Sequence, residues 1–249
     1  MLLDAMHEEL NSRKGAGYAE LKDAPELSDA VLSKRWWDNY ARANESCLKD
    51  LFVGQIHSRV TCTSCRCTSS TFDPFWSLSV PLPPAARETT LEACLALFTR
   101  LETLTGANRY FCQKCKTAQD STKQLALYRC PRLLVLHAKR FSTREDQAAR
   151  VFDKLGHAVT PTTDALNLRP YCASSAHLDA NGRPGTLLYD LVAVTNHHGE
   201  SGTHGHYTAD CYEPLTDAWL TYDDSNVHPT KHIDPHAAYL FFYVRRDSS

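Results

Sequence analysis

The 249-residue sequence contains no long run of apolar residues. Its most apolar stretch, residues 133–136, is far shorter than the roughly 20 apolar residues that a membrane-spanning helix requires. The sequence therefore predicts a protein without a transmembrane helix and without a membrane as partner. Hydrophobic residues still make up 43% of the chain, which is enough to form a substantial core.

An excess of charge of one sign is also absent. The chain has 27 Lys and Arg residues against 29 Asp and Glu residues, so its formal net charge is −2. Sequence-independent binding of nucleic acid depends on a broad basic face that neutralises phosphates. We therefore expect neither DNA nor RNA as a partner.

The first nine residues lack the basic segment followed by an apolar segment that marks a secretory signal. We therefore expect a reducing compartment, the cytoplasm and/or the nucleus. The chain has ten cysteines, and some of them form CxxC pairs. In a reducing compartment such pairs indicate metal binding or thiol chemistry rather than disulfides.

Hydrophobic periodicity predicts helices near the start of the chain and mostly strands after residue 51. Helical spacing covers residues 2–10 and resumes from residue 24, and a third helix over residues 91–99 follows a capping box of Thr89 and Glu92. Residues 174–185 have the composition of a surface loop. Strands are predicted over residues 51–60, 69–82, 124–128, 132–139, 187–195, 207–213, 219–222 and 239–245.

Two CxxC pairs, Cys62/Cys65 and Cys112/Cys115, are a strong metal-binding signal. Each pair places two thiolates on one tight turn, and two such turns supply the four ligands of a tetrahedral zinc site. The long gap between the pairs predicts a zinc ribbon with its two knuckles on separate strands. Four thiolates leave no open position for a catalytic water, so the Zn²⁺ would be structural. Ordinary buried thiols or redox pairs are the alternatives. Cys67 lies close to the first pair, but one intervening residue after Cys65 rarely permits good tetrahedral geometry, so it is disfavoured as a ligand.

A histidine and a carboxylate at the ends of two predicted strands form a second candidate site. A glycine-rich loop leads into His206, and Asp223 ends a later strand. If these strands pair, Asp223 can orient the His206 ring and fix its tautomer, while the imidazole acts as a general base. Spacing alone does not exclude His197, His198 or His204 as the base, and surface positions of this kind often have no catalytic role.

Several motifs follow one another along nearly the whole chain. They occupy residues 53–55, 72–81, 131–141, 189–191, 196–197, 205–209 and 222–225. In this order they resemble the motifs of the ubiquitin-specific proteases, and the similarity extends from the first predicted helix to Phe242 and Tyr243.

The resemblance implies an α+β, papain-like cysteine protease fold with fingers, palm and thumb. In its terms residues 1–249 are one catalytic domain, in which residues 1–50 are a remnant of the thumb helices, residues 51–130 are the fingers with the zinc ribbon, and residues 131–249 are the palm. The implied activity is thiol-dependent hydrolysis of the (iso)peptide bond at the ubiquitin C terminus. Ubiquitin and ubiquitinated proteins are the implied partners.

The resemblance also implies roles for individual residues. His206 is the general base, Asp223 orients it, and Asp224 assists. Tyr207 lies beside the channel that receives the ubiquitin tail. Residues 137–141 correspond to a strand of the palm.

The nucleophile that such a protease needs has no match in the sequence. The family supplies it from a Gly-Asn-Thr-Cys box that opens a thumb helix, and no such box occurs here. The first residues resemble the helix that follows the family's Gln-Asp-Ala-His-Glu motif, so we expect the nucleophile segment and most of the thumb to lie upstream of Met1. The remaining thiols, none of which follows a Gly-Asn turn, are Cys47, Cys94, Cys130, Cys172 and Cys211.

Two hypotheses therefore remain open. The first is a deubiquitinating thiol protease whose nucleophile is absent from this chain. The second is a catalytically inactive pseudo-protease that binds ubiquitin. Retention of both His206 and Asp223 favours the first, because an inactive module has no chemical need for a base and its orienting carboxylate.

Overall fold

The computed structural model describes residues 2–15, 17, 19–21, 24, 26–84, 86–146, 149–174, 176, 185–200 and 204–246. The surface loop predicted over residues 174–185 lies mostly outside them. Their helices are α1 (Leu2–Leu10), α2 (Asp29–Ala43), α3 (Cys47–Phe52) and α4 (Leu91–Phe98). Among these, no helix has both the length and the apolar character needed to cross a membrane.

The strands of the described residues follow in chain order. They are β1 (Gly54–Cys62), β2 (Thr68–Phe75), β3 (Leu78–Val80), β4 (Glu88–Thr90), β5 (Glu102–Leu104), β6 (Tyr110–Cys112), β7 (Thr117–Gln119), β8 (Ser121–Arg129), β9 (Leu133–Ala138), β10 (Phe141–Asp146), β11 (Ala149–Lys154), β12 (Ala158–Thr160), β13 (Leu166–Asn167), β14 (Leu188–His198), β15 (His206–Glu213), β16 (Ala218–Asp223), β17 (Asn226–Thr230) and β18 (Ala238–Arg245).

The chain divides into two compact units, and the first contains Met1–Trp76, Thr99–Arg132 and Arg169–Gly185. Its main sheet is antiparallel with the strand order β2-β1-β8-β5, and β6 and β7 form a separate hairpin. Helix α2 packs on β2 through a small apolar cluster. The buried members of this cluster are Ala24, Leu32 and Phe72, and Leu27, Trp36 and Tyr128 pack against them.

The second unit contains Ser77–Phe98, Leu133–Leu168 and Thr186–Ser249. Its large sheet has the order β17-β16-β15-β14-β18-β9-β3, with β13 beside β14, and only the β3–β9 pair of that sheet is parallel in the described residues. The central strands β9, β14 and β18 supply most of its core, including Leu134, Leu136, Tyr189, Val194 and Phe241. Because β15 and β16 run antiparallel, the first residue of β15 lies beside the last residues of β16. The candidate catalytic residues lie at these strand ends.

The strand predicted over residues 51–60 begins too early. Leu51 and Phe52 complete helix α3, whose first turn is capped by the Ser46 hydroxyl accepting a hydrogen bond from the Lys49 N–H at 3.1 Å. The strand starts only at Gly54, where a Cβ atom would lie 2.4 Å from the Phe75 ring. Ser46, as a preferred N-cap residue, was the local sequence signal for helix α3. The prediction relied on the apolar pattern instead and therefore missed this helix.

The strand predicted over residues 69–82 is two strands. Strand β2 ends at Phe75 and pairs with β1, whereas β3 begins at Leu78 and pairs with β9. The chain therefore leaves one sheet at Trp76 and enters another. Hydrophobicity continues through both strands because each contributes to a core, so the pattern alone could not show the break.

Helix α4 is confirmed, but its cap differs from the predicted capping box. The Ala93 N–H donates to the Thr90 hydroxyl at 3.2 Å, so Thr90 and not Thr89 satisfies the first turn. Glu92 instead accepts a hydrogen bond from Thr162. The cap therefore lies one residue later than the sequence motif suggested.

The predicted strand of residues 137–141 is interrupted after Ala138. Strand β9 ends there, and the next residues include Arg140, which is fully buried. The Arg140 guanidinium donates to the backbone carbonyls of Ala238, His157 and Pro235. Burial lowers the pKa of Arg140 to about 10, and the three carbonyls compensate for part of the lost hydration. This arginine therefore joins three segments of the second unit.

Candidate functional site

His206 and Asp223 are brought together by two neighbouring strands. His206 is the first residue of β15 and Asp223 is the last residue of β16, and the two strands pair antiparallel with Ala209 opposite Tyr222. The strand pairing expected from the sequence is thus present. The His206 Nε2 and Asp223 Oδ1 atoms lie 2.5 Å apart, within hydrogen-bonding distance.

Asp224 joins this pair from a tight turn. Strands β16 and β17 are connected by two residues, and Asp224 adopts a left-handed backbone conformation with φ +49°. Aspartate tolerates this conformation better than most residues. One donor atom from each of His206, Asp223 and Asp224 lies within 4.8 Å of the others. Strand β17 was missed in the sequence because its residues are almost all exposed and show no apolar alternation.

The electrostatics of the pair follow from the hydrogen bond. The Asp223 carboxylate, with a smaller effect from Asp224, raises the pKa of His206. Because Nε2 faces Asp223, Nδ1 is the ring nitrogen left to exchange a proton with a reactant. Both side chains are about half exposed, at 48% for His206 and 42% for Asp223, so the imidazole is accessible.

Replacement of Asp223 by asparagine is expected to lower the pKa of His206. The amide oxygen can still accept the ring N–H, but it carries no charge to favour the imidazolium. An NMR titration of the His206 ring signals measures the shift, with His198 as an internal reference. An unchanged His206 pKa in the folded Asp223→Asn variant would contradict the assigned ion pair.

Asp223→Asn should also lower the stability of the folded protein in a pH-dependent way. The direction of this dependence follows from the raised pKa of His206. A pKa raised in the folded state stabilises the protein fully below the unfolded-state value of about 6.5, and the contribution is lost as the pH rises through the folded-state pKa. Asp223→Asn should therefore lower the melting temperature more at about pH 5.5 than at about pH 8.5. The difference should be small because water screens both side chains.

The rival histidines occupy different environments. His197 is only 2% exposed, and burial lowers its pKa. A Cβ atom on Gly205 would lie 2.4 Å from the His197 Nε2, so this ring fills the space beneath the glycine loop. His198 is exposed, and its Nε2 lies 2.9 Å from the Thr208 hydroxyl. In the described residues the carboxylates of Asp223 and Asp224 are grouped with His206 and not with His197, His198 or His204.

Tyr207 lies beside the buried His197 and remains 53% exposed. Its ring centroid is 4.8 Å from that of His197 and 6.5 Å from that of Tyr239. Phe141 contacts both His197 and Tyr239 through edge-on ring contacts. The sequence identified Tyr207 but missed Phe141 and Tyr239, because these rings come from β10 and β18, which belong to different sheets and meet only in the folded chain.

A buried polar network supports the strands that carry the pair. The Asp210 carboxylate is almost fully buried and accepts hydrogen bonds from the Asn196 amide at 2.7 Å and the Thr221 hydroxyl at 2.6 Å. These three residues lie on β15, β14 and β16 respectively. Hydrogen bonds to a buried carboxylate are among the stronger ones in proteins, so the network fixes the register in which His206 meets Asp223.

The four predicted zinc ligands also converge. The sulfur atoms of Cys62, Cys65, Cys112 and Cys115 all lie within 4.8 Å of one another, and those of Cys65 and Cys112 are 3.5 Å apart. Zinc–sulfur bonds of about 2.3 Å would place the sulfurs of a tetrahedral site about 3.8 Å apart. The cluster can therefore hold a metal ion. Cys67 is outside it, with its sulfur directed to the Thr68 carbonyl at 3.9 Å.

The two CxxC turns have matching backbone geometry. The first follows β1 and the second joins β6 to β7. In each turn the residue after the second cysteine has φ +59°, and its N–H donates to the carbonyl of the first cysteine, from Arg66 to Cys62 at 3.0 Å and from Lys116 to Cys112 at 2.7 Å. The Thr63 backbone N–H and hydroxyl both donate to the Asp120 carbonyl, which joins the first turn to the strand end beyond the second.

The thiols of the cluster do not ionise alike. The backbone N–H of Cys115 lies against the Cys112 sulfur and lowers the pKa of that thiol to about 7. The neighbouring Cys65 thiol has the opposite effect on Cys115 and raises its pKa to about 12. A bound divalent cation deprotonates the thiols that coordinate it. With a metal bound, Cys112 and Cys115 would therefore both be thiolates, despite the opposite shifts of their pKa values. The chemistry of the donor set therefore fits zinc.

No cysteine joins the group around His206 in the part of the chain that the structure describes. Burial raises the pKa of the Cys94 thiol to about 11 and also raises the pKa of Cys211. A high pKa disfavours the thiolate that attacks a carbonyl. The described residues thus bring an imidazole and two carboxylates together without a thiol beside them.

The chain is similar in sequence to several known proteins. It is 40% identical over 248 residues to the ubiquitin carboxyl-terminal hydrolase Usp2 of Drosophila melanogaster, which covers 98% of this chain and 24% of that protein. It is 37% identical to ubiquitin carboxyl-terminal hydrolase 2 of Gallus gallus, covering 97% of this chain and 65% of that protein, and 34% identical to the Homo sapiens protein of the same name, covering 97% and 38%. The chain therefore spans less than two thirds of the length of these relatives.

Solved structures show the same fold. The SAGA Ubp8/Sgf11/Sus1/Sgf73 DUB module matches with a TM-score of 0.72 and 28% identity, over 100% of this chain and 49% of the matched chain. A yeast SAGA DUB module structure matches with a TM-score of 0.69 and 28% identity, over 90% and 47%. The α+β, papain-like fold of a ubiquitin-specific protease catalytic domain is thereby confirmed. The family model described as ubiquitin carboxyl-terminal hydrolase matches residues 1–243, and the chain belongs to this family.

Proposed function

We propose that this chain carries the base and orienting carboxylate of a deubiquitinase, which hydrolyses (iso)peptide bonds at the ubiquitin C terminus. The observation that carries the proposal is the 2.5 Å hydrogen bond between His206 and Asp223, with the imidazole exposed. A positioned imidazole whose tautomer is fixed by a carboxylate is the arrangement that activates a thiol nucleophile.

In this proposal His206 transfers one proton in each half of the reaction. Its Nδ1 accepts the proton of the attacking thiol, and the thiolate adds to the carbonyl carbon of the ubiquitin C-terminal residue. The imidazolium then donates that proton to the leaving amine, so that an acyl-enzyme thioester remains. In the second half His206 takes a proton from water, the oxygen adds to the thioester carbonyl, and the C–S bond breaks. The ubiquitin carboxylate is released, and the leaving sulfur regains a proton from the imidazolium. Asp223 holds the ring through Nε2 and stabilises the imidazolium formed in both halves of the reaction.

The nucleophile in this proposal comes from residues outside these 249. The four cluster cysteines lie together, in a group separate from His206. Among the described residues, the group around His206 contains only the carboxylates of Asp223 and Asp224. Cys94 and Cys211 have raised pKa values. A thiol supplied by another segment must therefore approach the Nδ1 side of His206.

Ubiquitin and ubiquitinated proteins are the proposed partners. Two solved structures similar to this chain are of the SAGA DUB module bound to ubiquitin aldehyde and to monoubiquitin, at 27% identity and TM-scores of 0.67. The exposed ring of Tyr207 next to His206 offers a surface for the extended tail of ubiquitin. Asp224 adds negative charge beside the imidazole and so helps to stabilise its protonated form.

We also propose that the four-cysteine cluster binds one structural Zn²⁺. The ligands are Cys62, Cys65, Cys112 and Cys115, whose sulfurs already lie at distances close to those of a tetrahedral site. The ion would join the end of β1 to the β6–β7 hairpin. Because all four positions are taken by thiolates, the metal contributes folding free energy and takes no part in hydrolysis.

A catalytically inactive ubiquitin-binding pseudo-protease is the second candidate. The observation that favours it is the absence of any cysteine from the described group around His206. The two functions differ in what the longer gene product does. A protease requires the gene product to supply a thiol, whereas a pseudo-protease binds ubiquitin and never hydrolyses it.

The 249-residue chain alone is expected not to hydrolyse a fluorogenic ubiquitin substrate, because the covalent step lacks its nucleophile. The full-length gene product is expected to hydrolyse it. Both are assayed zinc-loaded, and ubiquitin binding is measured by calorimetry in parallel. Turnover by the short chain that alkylation abolishes would contradict the missing nucleophile. Ubiquitin binding without turnover by the full-length protein would establish the pseudo-protease.

A further inference from the structure

A second pair of thiols lies in contact outside the zinc cluster. The sulfur atoms of Cys130 and Cys172 are 3.9 Å apart although the residues are 42 positions apart in the chain. Cys130 follows the last residue of β8 and is 4% exposed. Cys172 follows the short 3-10 helix Arg169–Tyr171 and is partly exposed. Both belong to the first compact unit.

The backbone holds these two sulfurs together. Leu127 and Cys172 form an isolated parallel bridge, and the Ala173 N–H donates to the Leu127 carbonyl at 2.9 Å. The Cys172 N–H donates to the Arg169 carbonyl at 3.2 Å. The contact therefore depends on an ordered backbone arrangement. A disulfide requires sulfurs about 2.05 Å apart, so they must approach by about 1.9 Å through side-chain rotation and a small backbone adjustment.

We propose that Cys130 and Cys172 are a redox modification site, at which a peroxide forms a reversible disulfide between them. The proposal does not depend on the deubiquitinase activity. In a reducing compartment disulfides are usually transient and redox-sensing. A pair with one accessible sulfur and one buried sulfur suits that behaviour, because the accessible thiol meets the oxidant and the buried thiol resolves the product.

The chemistry balances with hydrogen peroxide as the oxidant. The Cys172 thiolate attacks one peroxide oxygen, the O–O bond breaks, and the products are a sulfenic acid on Cys172 and one water. The Cys130 thiolate then attacks the Cys172 sulfur, the S–O bond breaks, and the oxygen leaves as a second water. The two thiols lose two electrons and two protons in total, and the peroxide gains them. A small dithiol reverses the bond by thiol–disulfide exchange.

The disulfide would tie the 3-10 helix covalently to the end of β8. In the thiol form that attachment includes the Leu127 bridge and the hydrogen bond from the Ala173 N–H, which are non-covalent. A covalent bond removes the opening of this contact that a hydrogen bond permits. The oxidised protein should therefore show slower hydrogen exchange at the Ala173 amide than the reduced protein.

The test treats the zinc-loaded full-length protein with hydrogen peroxide, alkylates the remaining thiols, and maps non-reduced peptides by mass spectrometry. We expect a peptide that joins Cys130 to Cys172, lighter than the two thiol peptides by about 2 Da and absent after dithiothreitol treatment. Cys130→Ser should abolish this peptide and increase the capture of a Cys172 sulfenic acid by dimedone. Cys211→Ser, which replaces another partly exposed thiol, should leave the linked peptide unchanged.

Two outcomes would overturn the proposal. One is recovery of both thiols fully alkylated under conditions that oxidise the exposed Cys47. The other is a disulfide from Cys172 to any cysteine other than Cys130. If Cys130→Ser does not fold, dibromobimane applied to the unmodified protein tests the contact directly, because it bridges only neighbouring thiols. Failure to isolate a bridged Cys130–Cys172 peptide would then contradict the proposed site.

Discussion

His206→Ala is expected to lower kcat/KM of the full-length protein for a ubiquitin substrate by about 10²- to 10⁴-fold, the usual contribution of a general acid–base residue. The loss should appear in kcat, because the imidazole acts on the reacting thiol and its Nε2 bonds to Asp223. Ubiquitin binding by calorimetry should remain nearly unchanged. Asp223→Asn should cost less, since its amide oxygen can still orient the ring.

The control for this prediction is His198→Ala. His198 is exposed and lies opposite His206 on β14. Its Nε2 lies 2.9 Å from the Thr208 hydroxyl, and its ring centroid is 6.5 Å from that of His206. It should retain near-normal turnover. His197→Ala is unsuitable as a control, because His197 is buried against Gly205 and its removal would leave a cavity beneath the loop. Loss of turnover in His198→Ala with normal turnover in His206→Ala would show that the base is misassigned.

Cys112→Ser is expected to remove bound zinc and to destabilise the first unit more than any surface substitution. The structural zinc of small peptides contributes about 10 to 16 kcal/mol of apparent folding free energy at neutral pH. The loss here should be smaller, since the first unit also contains the antiparallel sheet of β2, β1, β8 and β5 and an apolar cluster that contribute to its stability. Elemental analysis measures the metal content, and thermal unfolding measures the stability.

Cys67→Ser provides the matched control for the zinc prediction. Cys67 lies two residues after Cys65 and directly before strand β2, but its sulfur faces the Thr68 carbonyl and not the cluster. Its substitution should leave one zinc per chain and an almost unchanged melting temperature. Zinc content that is equal in Cys112→Ser and in the unmodified protein would remove the assignment of Cys112 as a ligand.

Part of the fold was predictable because its signals are local. Helices α1 and α4 and the strands β14, β15, β16 and β18 are confirmed within a few residues, since apolar periodicity records which face of each element is buried. The short strands β4–β7 and β10–β13, and β17 were missed. Most have two to six residues, and many of these are exposed, so their hydrogen-bond partners define them more than their side chains do.

The sequence predicted more of the cysteine cluster than of the histidine site. The cysteine pairs identified the cluster because CxxC spacing itself creates the ligand turn. The histidine site was predicted from two strand ends, but spacing left three other histidines open and the resemblance supplied the choice of His206. The catalytic roles of His206, Asp223, Asp224 and Tyr207 stay predictions. The division into thumb, fingers and palm at residues 50 and 130 also stays a prediction.

The sequence by itself determined the family, the fold class and the residue types that any chemistry must use. Only the tertiary structure decided which of them meet. It separated His206 from three neighbouring histidines, because strand register places the His206 imidazole, and no other among the described residues, in the group with Asp223 at the end of β16. It excluded Cys67 from the metal cluster and brought Cys130 to Cys172 across 42 positions. Distances between residues far apart in the chain depend on how sheets pair and twist, and no local pattern encodes that pairing.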